Sequence, residues 1–422
     1  MAKRRKRGGK RNQTADSIGE KPEYQQHWHQ GDLVVQGFRR LASKYPPQPN
    51  DSPNQSVDEA LSTLSLDGEA KFKQCTLDQL QSSLLPLLHR QITSLSQSLN
   101  PSGLINDPGS KLQRILEIQS ELDHTINHTH SRINTVFPQS ISESLRADDH
   151  HLGRLKIYRL RRLKSTFNEG FLYTLRIASL RGQELIREMR LSSEKPENEA
   201  GNEPTKDQLI EYSNCALNSI NSAILSIRGS ELDIAQEYWQ SELIPMESVI
   251  KEMISLSNTP SNLKKAEQRP NKLKRKQVIL LARLSIPMAK LCKIFFVKTT
   301  KRGMNSKGLP TSTKMSSQQI YSLTESMRNV NGDLNKFYFH IIMADNSHGV
   351  VDREEFVQLP TKLQTYLETA MRLILLHYVP NIPDMNDLQG KNYYSSWFVT
   401  WDTHFQLATQ NFREAAQEFE VY

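Results

Sequence analysis

Two stretches near the C-terminus fix the fold class. Ile320, Leu323, Met327, Val330, Leu334, Phe337 and Ile341 recur in an unbroken alternation of three and four, and Phe356, Leu359, Leu363, Tyr366, Ala370, Leu373 and His377 repeat it. That is the period of an α-helix with one apolar face, and a face of that length must be covered by neighbours. No stretch shows the period-two alternation of a half-buried strand, so the chain reads as all-α.

The same reading extends along the chain. Leu77, Leu80, Leu84, Leu88, Gln91, Leu95 and Leu99 follow Thr76, a suitable N-cap, with Pro86 marking a kink. Leu112, Ile115, Leu122, Ile126, Ile133 and Val136 form a second stripe that stops before Pro138. Asp148 or Asp149 can cap a third helix reaching about Arg190. Two further helices flank Gly229. The C-terminal text predicts helices over 274–301, 316–343, 352–378 and 391–419, with Asp352 and Glu355 spaced as in a capping box. The last of them carries an aromatic stripe of Tyr393, Trp397, Trp401, Phe405, Ala408, Phe412 and Phe419. The expected organisation is two antiparallel helical-bundle lobes: a disordered basic arm and Pro-rich segment over 1–51 with at most one short helix near 32–44, an N-terminal lobe over 52–257, a basic linker over 258–273 and a C-terminal bundle over 274–422.

Charge is distributed unevenly. Seven of the eight net positive charges fall within the first eleven residues, where Lys3, Arg4, Arg5, Lys6, Arg7, Lys10 and Arg11 face no acid. The body is therefore nearly neutral, which argues against a nucleic-acid-binding surface spread over the whole protein. Clustered charges on a flexible backbone suit the acidic groove of an import receptor or a phosphate ladder. Lys264, Lys265, Lys272, Lys274, Arg275 and Lys276 add a second cluster with the two-part spacing of a bipartite import signal. Together they point to the nucleus, with the cytoplasm as the alternative. A third cluster, Arg154, Lys156, Arg159, Arg161, Arg162 and Lys164, nearly encircles its helix at 100° per residue. Such residues are expected to bury their stems and pair with acids; binding nucleic acid or phosphate through this helix and the arm is the alternative.

Other chemistries find little support. Cys75, Cys215 and Cys292 form no CxxC pair and sit in apolar helical patterns, the usage of buried thiols in a reducing compartment. The basic arm has no apolar h-region, so a signal peptide is not expected. The most apolar window, Val278–Val297, is as long as a membrane span, but Arg283, Lys290 and Lys293 interrupt it at about 2.5–3.5 kcal/mol each near a bilayer centre. No membrane partner is expected. His124 and His128 have the four-residue spacing of a helical metal pair but no third ligand, and fall off the apolar stripe as exposed residues. The 344–355 segment has Asn346, Gly349 and Glu355 in EF-hand register, yet Ala344 stands where the leading carboxylate belongs. Asp402 and His404 are two apart on a helix and point to different faces. GxSxG, HExxH, GK[ST] and GxGxxG are all absent, so no catalytic residue, metal or cofactor is assigned.

The run Ala289-Lys290-Leu291-Cys292-Lys293-Ile294-Phe295-Phe296, the Lys301-Arg302-Gly303-Met304-Asn305 turn, Met315-Ser316-Ser317-Gln318-Gln319 and above all Asn392-Tyr393-Tyr394-Ser395-Ser396-Trp397-Phe398-Val399-Thr400-Trp401-Asp402-Thr403-His404-Phe405 resemble a family of uncharacterised, lineage-expanded helical proteins of rust fungi. The likeness is strongest over the last third and implies an all-helical fold without an assigned activity. At the level of fold the chain is also faintly similar to cyclin-D-interacting helical proteins. The expectation for function is a non-enzymatic protein that enters the nucleus and binds other proteins along helix faces.

Overall fold

The computed structural model describes residues 26–46, 66–138, 148–196, 205–257, 273–300, 309–346, 351–382 and 389–419. Every regular element among them is helical, as the periodicity predicts. The chain divides into two compact units that do not follow chain order: Met1–Val136 with Lys164–Ala223, and Phe137–Leu163 with Ile224–Tyr422.

In the first unit, helix α1 (Trp28–Ala42) falls where the sequence suggested a disordered arm with a short helix at most. It belongs to the core instead. Val34, Val35, Phe38 and Leu41 are at most 1% exposed. Their helical spacing gives α1 a buried face, and the face is set against α5 (Pro108–Val136) and α7 (Tyr173–Glu188). The α7 contact is close because position 182 is glycine: a Cβ there would stand 2.8 Å from Phe38 Cζ. Asp32 ties α1 to the turn after α7, accepting the Ser193 N–H at 2.9 Å, the Ser193 hydroxyl at 2.8 Å and the Ser192 hydroxyl. Burial pushes the Asp32 carboxyl up, but these hydrogen bonds outweigh it and hold it below its ordinary value.

Between them, α2 (Leu66–Gln79), a π-helical stretch at Leu80–Leu84, α3 (Leu85–Ser98) and α4 (Pro101–Asn106) complete the N-terminal part. Thr76 is not a cap, because α2 runs through it and its hydroxyl donates to Phe72 O at 3.0 Å. The disturbance expected at Pro86 is the π-helical stretch just before it, where a missing N–H frees the backbone register. The helix expected from Asp149 to Arg190 is interrupted. A 3₁₀ turn at Asp149–Leu155, broken by Gly153 with φ of 58°, precedes α6 (Ile157–Ser165), and a second π-helical stretch at Thr166–Leu172 leads into α7. Thr205–Arg228 is α8.

The second unit is built from five long helices: α9 (Glu231–Ser257), α10 (Lys276–Lys298), α11 (Ser317–Asn346), α12 (Arg353–His377) and α13 (Gln389–Gln417). Neighbours run α11, α9, α10, α13, α12 and back to α11. The sequence placed residues 231–257 in the first lobe, before a linker at 258–273. Their apolar face, with Trp239, Met246, Val249 and Met253 buried, packs on α10 and α11, so α9 belongs to the second unit. Its start is written in a capping box: Ser230 N–H donates to Asp233 Oδ2 at 2.9 Å and Asp233 N–H to Ser230 Oγ at 3.0 Å. At α12 the cap is Asp352, which accepts the Glu354 N–H at 3.0 Å, while Glu355 pairs with Lys336 at 2.9 Å instead of closing a box.

The interior of this unit is aromatic. Phe295 of α10 lies 5.0 Å from Trp401 of α13, Trp239 of α9 lies 5.2 Å from Phe296, and Phe337 of α11 lies 5.4 Å from Phe412. Trp401 Nε1 donates to Leu291 O at 2.9 Å, which satisfies the one polar atom its burial would strand.

Candidate functional site

The clustered cations of 154–164 are turned inward. Lys156, Arg159 and Arg162 are buried, and Arg154, Arg161 and Lys164 are half-buried. Lys156, fully buried, donates to Glu231 Oε1 at 2.6 Å and to Thr313 O at 2.8 Å. Arg159 donates to Ser226 O at 3.1 Å, to Gly229 O at 2.9 Å and to Thr311 O, with its Nε 3.9 Å from the same Glu231 carboxylate. Arg162 reaches the Ser226 hydroxyl at 2.6 Å and pairs with Glu237. Glu231 also accepts from the Thr313 N–H at 3.1 Å and from its hydroxyl, and it stands in the first turn of α9, where the helix dipole favours a carboxylate. Burial pulls the Lys156 ammonium and the Arg159 guanidinium below their ordinary values, and the Glu231 charge acts against it in both. Beside them Asp149 accepts the N–H groups of Ile157 at 3.0 Å and Ser317 at 2.8 Å, together with the Ser317 hydroxyl. This constellation clamps backbone from three segments. It is a structural device in which Lys156, Arg159 and Arg162 pair with acids, as expected from the sequence.

A different kind of surface opens on the same unit. Helices α9, α10 and α13 border a groove of about 620 Å³ lined by Glu247, Ile250, Lys251, Lys290, Lys293, Ile294, Val297, Lys298 and Trp397. Its floor is apolar, and Ile294 and Val297 keep 49% and 44% of their surface exposed. Four lysines and one glutamate leave the lining with three net positive charges. Lys293 is held by Glu247 at 2.7 Å. Lys298 sits over the Tyr393 ring at 4.6 Å and donates to the Tyr393 hydroxyl at 2.6 Å. Lys290 meets no carboxylate among the described residues.

Sequence reasoning missed this groove by sending Tyr393 and Trp397 into the core with the rest of their stripe. In the structure the buried stripe of α13 begins at Phe398, and Tyr393 remains half-exposed beside Lys298. A signal was present in α10. It is apolar beyond a single face: Val278, Leu281, Ala282, Met288, Ala289, Cys292, Phe295 and Phe296 point inward, and Ile294 and Val297 stand on the other side. The same two-sidedness produced the span-length apolar window at 278–297; no helix among the described residues is long and apolar enough to cross a membrane.

The expected import residues separate on inspection. Lys3, Arg4, Arg5, Lys6, Arg7, Lys10, Arg11, Lys264, Lys265 and Lys272 lie outside the described residues. Lys274 and Lys276 have exposed side chains. Arg275 is half-buried and engaged within the fold: it donates to Ala344 O at 2.8 Å and lies over the Phe419 ring at 5.5 Å. The backbone N–H groups of Lys274 and Arg275 both end on the Asp345 carboxylate, at 2.7 Å each, which occupies that acid of the EF-hand-like segment. The remainder of that loop, 347–350, is outside the described residues.

Of the histidine pair, His124 is exposed, and His128 is half-buried and accepts from Arg132 Nε at 3.2 Å. No group of three metal-ligating side chains occurs among the described residues. Asp402 is half-buried and His404 exposed. The thiols differ from one another: Cys292 is buried and its burial pushes the thiol up, Cys215 is half-buried, and Cys75 is exposed, contrary to the expectation that all three are interior.

Two domain families cover most of this architecture. Residues 73–228 match a domain of unknown function (DUF8723), and residues 230–414 match a second domain of unknown function (DUF8721). No curated protein and no solved structure matches the chain. The two matches meet at Gly229, between α8 and α9, and the second takes in all three helices of the groove.

Proposed function

We propose that the protein is a non-enzymatic helical interaction protein that acts in the nucleus and engages a partner protein through the α9–α10–α13 groove. The observation that carries this reading is an exposed apolar floor under a lysine rim, on a unit whose buried cations Lys156, Arg159 and Arg162 are paired internally. Apolar surface left open within a polar border is the usual mark of a binding site. The non-enzymatic part rests on the sequence, which carries none of the motifs that would place a nucleophile, a base and an oxyanion donor together.

The test has two arms. Proximity labelling with the full chain and with Ile294→Glu is expected to give a set of neighbours that depends on the groove; an identical set from both proteins removes the groove from the proposal. In a fluorescent fusion, deleting residues 1–11 and replacing Lys264, Lys265, Lys272, Lys274 and Lys276 by alanine, with Arg275 kept for its structural bonds, is expected to abolish nuclear enrichment. An unchanged distribution removes the compartment.

A further inference from the structure

We infer that the occupant of the groove is an acidic amphipathic helix, laid along α10 with its apolar stripe on Ile250, Ile294, Val297 and Trp397. This rests on reading the groove as a docking surface and names the class of partner it fits. The wall supplied by α10 is regular: Lys290, then Lys293 and Ile294, then Val297 and Lys298 rise one turn at a time, so the cationic edge extends for about 12 Å. Opposite, Glu247, Ile250 and Lys251 share one face of α9. A partner helix with large apolar residues at i, i+3 or i+4, and i+7 would match the floor, and carboxylates on either side of that stripe would meet the lysines.

Charge decides between occupants. Three net positive charges repel a basic helix, and a neutral one would leave Lys290 uncompensated. The cations are spread along both walls rather than gathered at a point, which suits a row of carboxylates better than the single head group of an amphiphile. Two of the lysines are already set in place, Lys293 by Glu247 and Lys298 by Tyr393, so less side-chain freedom is lost when an anion arrives.

The experiment is a selection from a displayed library of random peptides of about 16 residues, long enough for four helical turns, using the full chain as bait and Ile294→Glu for counter-selection. The enriched peptides should be acidic and apolar at helical spacing. The best of them, labelled and measured by fluorescence anisotropy, should bind less tightly as salt is raised and lose about tenfold or more in affinity to Lys251→Glu/Lys290→Glu, whose melting curve should match that of the parent. Enrichment of neutral or basic peptides, affinity indifferent to that double substitution, or saturable binding of sodium oleate with no peptide selected would each overturn the inference. If the peptides fail while Ile294→Glu still strips neighbours in the cell, the groove stands with another occupant. If Ile294→Glu changes neither readout, the docking reading itself falls.

Discussion

Lysines are used in opposite ways on two faces of one unit. Around Glu231, Lys156 and Arg159 are sealed from water and every contact they make is internal; along α10, Lys290, Lys293 and Lys298 stand at a solvent-facing edge over apolar side chains. Density of charge in the sequence would rank them the other way round, because the buried cations belong to a cluster of six within eleven residues and the groove lysines are set among apolar ones, three on α10 and one on α9. The difference teaches that a cation's role is set by what opposes it. A carboxylate at a helix start draws Lys156 inward, whereas Lys290 pairs with no acid among the described residues, the groove's Glu247 being taken by Lys293.

The contrast can be broken by substitution. Glu231→Ala should be the most damaging, at about 3–5 kcal/mol in denaturant unfolding, since it leaves two cations buried without their acid; a loss near zero would show that water reaches the site. Trp401→Ala should cost a similar about 3–5 kcal/mol through the cavity it opens and the Leu291 carbonyl it frees, and Trp397→Ala, four residues earlier on the groove side, well under half of that by the same measurement. Lys290→Ala should leave stability within about 0.5 kcal/mol, as an exposed residue without a partner does. The smallest effect is one of pH. Burial, more than the neighbouring Lys156, holds the His377 imidazole below its ordinary value, against an upward pull from Glu231. The unfolded chain therefore binds this proton more readily, so stability should fall as pH drops from 6.5 through the lower folded value, and His377→Gln should flatten that slope in unfolding curves taken across the range.

Much of the fold was legible because it depends on spacing. The 320–341 stripe is buried along its whole length, and α12 begins at the Asp352 cap that the sequence offers. A short helix near 32–44 was legible, but its place in the core was not, since its apolar residues are few and follow a long polar stretch; its packing on α5 and α7, close where Phe38 meets Gly182, makes it core. The boundary at 258–273 misled for a related reason: a run of prolines and charges marks a connection but does not say which partners the helix before it has chosen. At the groove the obstacle was three-dimensional. Periodicity shows that α10 and α13 have apolar faces, yet it cannot tell a face fully covered by neighbours from one left partly open, and Tyr393 and Trp397 fall on the second kind.

The clamp on Glu231 has a practical consequence for anyone dissecting this chain. Cutting at Gly229, where the two family matches meet, would hand one piece Lys156, Arg159 and Asp149 and the other Glu231, Thr313 and Ser317. Each fragment would inherit half of a lock whose other half had been thrown away with its sibling, and an excised C-terminal piece would need the 148–163 stretch grafted back to close it.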